Sequence, residues 1–186
     1  PEWHIRQDVI PLLDGNCRFL TVDGMWHRVY GKWDMIIAFP PCTYMTKAGA
    51  VRMRVRGEIS KERYQKAIAA KEFFMLIYNA DCSKIAIENP TPMKLIGLPP
   101  YDQVIQPYDF GHPYSKRTCL WLKGLPPLFA TEIMSDYEPY INGGCKDAKG
   151  NYRRFQGRKE RNSKNRSKTF PGIAKAMADQ WAGKRT

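Results

Sequence analysis

Pro40-Pro41-Cys42 and Glu88-Asn89-Pro90 pair a thiol with a carboxylate 46 residues apart in the chain. Cysteine is the most nucleophilic side chain once deprotonated, and a positive environment favours the thiolate. Prolines flanking the thiol fix its backbone and present it rigidly, and a carboxylate on a neighbouring loop can then reach the same small ring. Each residue alone also has a plain structural role. A single cysteine packs as a small core hydrophobe, and Glu88 can be a solvated loop carboxylate or a helix cap. With Cys17, Cys82, Cys119 and Cys145 the cysteines number five, widely spaced and without CxxC or a Cys/His cluster. That argues against a disulfide framework and against a metal site, and it fits a reducing compartment.

The elements that position these groups are legible from period. Asp34 to Phe39 is a short apolar run stopped by Pro40-Pro41, which suits a buried strand ending in a loop. Residues 42 to 57 are polar, basic and irregular. From Ser60, an N-cap with Glu62 in the first turn, apolar residues recur at Tyr64, Ala67, Ile68, Phe74, Met75 and Tyr78 with helical spacing. Lys84 to Ile87 reads as a second buried strand stopped by the polar loop Glu88-Asn89-Pro90. Strand, helix, strand is a crossover unit, so the spacing predicts a parallel sheet with both motifs at the carboxyl ends of its strands. Gln103 to Gln106 and Thr118 to Leu122 are further strands, and Ile173 to Trp181 closes the chain as an amphipathic helix begun by Pro171.

The 186 residues suit a single α/β domain, and 43% hydrophobic content supplies a core. The net charge of +12 points to a polyanionic partner. Ten Lys or Arg against two acids between Lys146 and Lys168 give that stretch +8 of the total, within a basic loop or small recognition segment at about 129–168. Arg153, Arg154, Arg158 and Lys159 are its candidate phosphate contacts, and Tyr137, Tyr140, Tyr152 and Phe155 its candidate stacking platforms for unpaired bases. It reads as a loop that orders poorly without its partner. No apolar run is long enough to span a membrane and no signal peptide pattern opens the chain, so a soluble, intracellular protein is expected. His112, beside Pro113 and the basic HPYSKRT segment, is the one histidine expected near the site, as a shaper of its loop.

The segments DMIIAFPPCTY, IAIENP, VIQPYDFGHPYSKRTCLWLKGLPPL and RSKTFPGIAKAMADQWA, in that order, resemble the DNA cytosine carbon-5 methyltransferases, most of all the small ones carried by bacteriophages. The resemblance covers nearly the whole chain. It implies a mostly parallel, Rossmann-like sheet of the S-adenosylmethionine-dependent methyltransferase type, here truncated at its N-terminal edge. It also implies base flipping in DNA and a cytoplasmic setting in a bacterial host cell.

By the same resemblance, Cys42 attacks carbon 6 of the pyrimidine while Glu88 holds and protonates ring nitrogen 3, making carbon 5 able to accept a methyl group. Asn89 holds the loop, and Lys116 or Arg117 steadies the base or its phosphate. The family has a Gln and two Arg where this chain has Tyr114, Ser115, Lys116 and Arg117. Asp8, Pro40, Pro41 and Thr169 correspond to parts of the S-adenosylmethionine site. The family's Gly-rich cofactor loop would precede Asp8, so the expectation is that a second chain or a missing N-terminal segment completes that site. Three functions follow: a DNA cytosine methyltransferase, a methyltransferase-derived DNA-binding protein without catalysis, and an enzyme acting at carbon 5 of free pyrimidine nucleotides.

Overall fold

The computed structural model describes residues 4–146 and 149–183. The chain divides into two compact units, Pro1–Gln103 with Cys119–Leu125, and Val104–Thr118 with Pro126–Thr186.

In the first unit a hairpin of β1 (Arg18–Leu20) and β2 (Trp26–Arg28) packs Leu12, Cys17 and Phe19 into a small cluster with Ile5, Val29 and Trp33. Nothing in the period of the sequence marked that hairpin. Next comes β3 (Ile36–Ala38), then the two-residue strands β4 (Arg54–Val55) and β5 (Glu58–Ile59), then α1 (Lys61–Tyr78) and β6 (Ile85–Asn89). The side chain of Ser60 accepts a hydrogen bond from the Arg63 amide at 3.4 Å and so caps α1. One face of α1 buries Ala67, Phe74 and Ile77, and Phe74 meets the ring of Trp121 edge-on at 5.0 Å.

β3 and β6 are parallel, with Ile36 opposite Ile85 and Ala38 opposite Ile87, as the strand, helix, strand order predicts. β9 (Thr118–Lys123) then lies antiparallel on the other side of β6, with Glu88 opposite Leu120 and Asn89 opposite Cys119. This overturns the mostly parallel, Rossmann-like sheet. The fold is a mixed α/β structure of several short sheets, antiparallel in its hairpins. The physical reason lies after β6, where the chain runs through a Pro-rich stretch whose one helical piece is the three-residue turn Lys94–Ile96. A parallel return needs a crossover helix of a dozen or more residues in all, and that stretch holds none. β3 also differs from a fully buried strand, since Ile37 and Phe39 are exposed.

Within the second unit, β7 (Gln103–Ile105) leads to β8 (Tyr114–Ser115), which pairs in parallel with β10 (Glu138–Pro139). The basic stretch expected as a loop forms a hairpin of β11 (Gly143–Lys146) and β12 (Tyr152–Phe155), then the short helix α2 (Ser163–Ser167). Its aromatics lie across glycine: a Cβ on Gly143 would sit 2.6 Å from the Phe155 ring, and one on Gly144 would run into the Tyr152 hydroxyl. Gly-to-aromatic pairing across strands is what lets so polar a hairpin hold its register. α3 (Pro171–Trp181) closes the chain, docked by the Trp181 indole, which donates to the Pro126 carbonyl at 2.9 Å, and by the Gln180 amide, which bonds both backbone groups of Phe129. No helix among the described residues is long and apolar enough to cross a membrane.

Candidate functional site

Parallel pairing of β3 and β6 brings the chain after Ala38 and the chain after Ile87 to the same end of the sheet. Cys42 follows β3 by four residues, whereas Glu88 and Asn89 are the last two residues of β6 itself rather than the start of a loop. The boundary moved because Glu88 and Asn89 each pair across to β9, so the ladder continues through residues whose polarity had suggested a turn. Successive strand residues point to opposite faces. Asn89 is buried and Glu88 half-buried.

The two motif segments are fastened together. The Asn89 side-chain amide donates to the Pro40 carbonyl at 3.0 Å. Further along, the Lys47 amide donates to the Thr91 carbonyl at 3.0 Å and the Met93 amide to the Met45 carbonyl at 2.7 Å. The two main-chain bonds join the chain after Cys42 to the chain after Asn89, and the Pro-Pro-Cys turn is held to β6 by the Asn89 side chain. Asn89 Oδ1 and Thr46 Oγ1 are buried with no hydrogen-bond partner among the described residues. Buried polar atoms are nearly always paired, so two such atoms beside one turn call for a partner.

Of the four cysteines whose side chains are described, Cys17, Cys82 and Cys119 are buried, and Cys42 is half-exposed. Cys82 Sγ lies 3.2 Å from both the Trp33 and Lys84 carbonyls, a packed structural thiol. The side chain of Cys145 lies outside the described residues. Two residues past Cys42, the Tyr44 ring is met by cations. Arg63 lies over the Tyr44 ring at 5.1 Å and Lys66 at 6.0 Å, with Lys66 also 2.6 Å from Glu62.

The expected cofactor residues separate. Pro40 and Pro41 line an apolar cavity of about 250 Å³ with Val9, Leu13, Phe39, Phe73 and Ile77. Asp8 is exposed and its carboxylate accepts from the Ile10 amide at 3.1 Å, just before the turn Ile10–Leu12. Thr169 belongs to the second unit, as do Lys116 and Arg117. There the Lys116 amide donates to the Gln106 side chain at 2.9 Å, its ammonium donates to the Lys168 carbonyl, and the same ammonium lies 5.9 Å above the Phe170 ring. Lys116 thus holds the two neighbours of Thr169. Arg153, Arg154, Arg158 and Lys159 are exposed, on β12 and on a strand-like run where Lys159 donates its amide to the Tyr140 carbonyl.

His112, expected as a shaper of its loop, accepts the Gly172 amide at its Nε2 at 2.9 Å at the start of α3, a partner that no local pattern marks. A cavity rimmed by Lys47, Arg54 and Lys94, which draws on segments far apart in the chain, had no signal in the sequence. Compared with protein-family models, with curated proteins and with solved structures, the chain matches none. Its function is therefore read from its own residues and their arrangement.

Proposed function

We propose that the chain performs the base-activating half of DNA cytosine carbon-5 methylation, with S-adenosylmethionine as the methyl donor. The observation that carries this reading is the Asn89-to-Pro40 bond, which fastens the one described half-exposed thiol and the acid-bearing strand to the same sheet end. In this reading the Cys42 thiolate forms a bond to carbon 6 of a flipped cytosine while Glu88 gives a proton to nitrogen 3. The electron pair of the carbon 5–carbon 6 double bond moves toward carbon 5, which becomes nucleophilic. An aromatic ring carbon is too poor a nucleophile until both events occur. Asn89 fixes the turn through its bond to Pro40. The exposed cations of β12 and of Arg158 and Lys159 hold the DNA backbone.

The residues present fit only part of S-adenosylmethionine. The apolar cavity at Pro40 and Pro41 suits the faces of an adenine ring, but its lining offers no charged group for the methionine end, and Asp8 lies outside that lining. The transfer step itself is accordingly left to whatever completes that site, and the test is chosen to need no methyl donor. Addition of the thiolate, uptake of a solvent proton at carbon 5, loss of the original proton and departure of the thiolate together exchange the carbon 5 hydrogen with water. Mass spectrometry of DNA incubated with the chain in heavy water is expected to find deuterium at cytosine carbon 5. Cys42→Ser abolishes it, and Glu88→Gln slows it by about a hundredfold or more, the usual contribution of a general acid. Exchange that persists in Cys42→Ser, or that never occurs with the unaltered chain while DNA binding is intact, ends this reading.

A further inference from the structure

The basic, irregular stretch after Cys42 folds into a 3-10 helix, Lys47–Met53, followed by the β4–β5 hairpin. It docks against the chain after Asn89 through an isolated bridge between Thr46 and Pro92. Between the two segments lies a cavity of about 290 Å³ lined by Lys47, Ala50, Met53, Arg54, Met93, Lys94 and Leu95. Its floor is apolar: Met53 and Met93 are 3% and 6% exposed, so both are fixed in place, and Leu95 is open at 47%. Its rim is cationic: Lys47, Arg54 and Lys94 are all exposed, and none of the seven lining residues is an acid. Thioether and leucine side chains pack well on the flat face of an aromatic ring, and three cations on one rim match a phosphate, the Arg54 guanidinium also donating to the Gly57 carbonyl at 2.8 Å.

The hairpin extends this charge beyond the cavity. Arg56 and Gly57 form its two-residue turn, with φ of 51° and 88°. That turn favours asparagine or glycine at its first position, and the arginine there is held in the left-handed region. A strained residue retained at an exposed tip points to a contact made there. Arg52 and Arg54, on the approach to the tip, are exposed as well.

We propose that this cavity holds one nucleotide of a DNA strand next to the reacting base, with its base on Met53, Met93 and Leu95 and its phosphate between Lys47, Arg54 and Lys94. Arg52 and Arg56 then meet the following phosphates, which is why the occupant is a strand rather than a free nucleotide. The inference rests on the DNA reading above and adds to it a subsite in the first unit, apart from the cations of β12.

The test is equilibrium binding of the full chain carrying Cys42→Ser to a short oligothymidylate and, separately, to inorganic polyphosphate, each over a range of salt. Lys47→Ala, Arg54→Ala and Lys94→Ala together are expected to lower affinity for the oligothymidylate about tenfold and to reduce the log-log salt slope by about 0.7, the share of the one phosphate they hold on a single strand. Leu95→Gln, at an exposed position that the fold does not need, is expected to weaken DNA several-fold and leave polyphosphate unchanged. Equal losses for both ligands with no effect of Leu95→Gln would reduce the cavity to a charged surface and overturn the proposal. So would an unaltered slope in the triple variant, or thymidine monophosphate competing as tightly as the strand. Because binding needs no covalent step, a failed deuterium exchange leaves these results interpretable. Exchange that survives with binding indifferent to the variants removes this subsite alone.

Discussion

The first unit hides its polar hinge, and the second displays its charges. Around Cys42 and Glu88 the decisive contacts are backbone bonds between segments some 45 residues apart, roofed by buried Met45, Ile87 and Cys119. Around Arg153 and Arg154 they are local: a hairpin, two glycines under two rings, and side chains in water. The contrast suits the roles proposed for the two regions. A reacting pair needs fixed positions, which only non-local packing supplies. Cations that meet a flexible polyanion need reach and hydration more than fixity. The sharpest way to break the contrast is to remove packing from each unit in turn.

Phe74→Ala takes out a side chain that is 0% exposed and wedged edge-on against Trp121. Urea denaturation is expected to show a loss of about 3–5 kcal/mol, the cost of a large aromatic cavity in a core that cannot collapse into it. Tyr152→Ala, at 61% exposure in the hairpin, is expected to cost within about 1 kcal/mol. Comparable losses for the two would mean that the hairpin is as structural as the sheet.

Asn89 sharpens the same contrast at the hinge. Asn89→Ala strips the donor from the Pro40 carbonyl but also removes a buried oxygen that has no partner among the described residues, so the two effects partly offset. A net loss of about 1 kcal/mol is expected, at the low end for a buried bond. Asn89→Asp keeps the oxygen and points a carboxylate at a carbonyl, and it is expected to lose about 3 kcal/mol or more. If the aspartate variant proves the more stable of the two at neutral pH, Asn89 does not hold the turn through Pro40.

The elements that carry the site were legible because each was written locally. Ser60 before an apolar helical period gave α1, and two short apolar runs on either side of it gave a parallel pair whose ends hold Cys42 and Glu88. What escaped was set by partners distant in sequence. The antiparallel direction of β9 depends on the absence of a crossover helix after Pro90, which weakens no local pattern, and the resemblance to methyltransferases supplied a parallel sheet in its place. Glu88 and Asn89 look like turn residues until β9 pairs with them. The β1–β2 hairpin is hidden because its strands are three residues each, with exposed Leu20 and Trp26 disrupting alternation. The β11–β12 hairpin reads as loop because its glycines lower strand propensity, while the rings that compensate come from the opposite strand. Asp8 and Thr169 match the resemblance by position alone, and position does not tell that Asp8 spends its carboxylate on a local turn.

The smallest expected effect tests how the second unit holds its one ordered long helix. His112 Nε2 accepts the Gly172 amide in the first turn of α3, and its ring lies 5.1 Å from that of Phe170. Only the neutral imidazole can accept at that nitrogen. Partial burial pushes its pKa below the ordinary 6.5, the positive charge of Lys168 pushes the same way, and Glu132 opposes them. A folded pKa below the unfolded one means that the unfolded chain takes up the proton first as pH falls. The stabilisation is therefore complete above about pH 6.5 and is lost as pH falls from there through the lower folded value. One partly exposed cap bond is worth about 0.5–1 kcal/mol after screening by solvent. Other groups titrate in the same range, so the measurement is a difference: urea midpoints for the unaltered chain and for His112→Gln, at pH 7.5 and 5.5. Glutamine offers an acceptor that does not titrate, so the variant is expected to lose less stability between the two pH values, by that amount. Identical losses would show that the proton on His112 is indifferent to folding and that the start of α3 is held by Phe170 packing against Tyr140 instead.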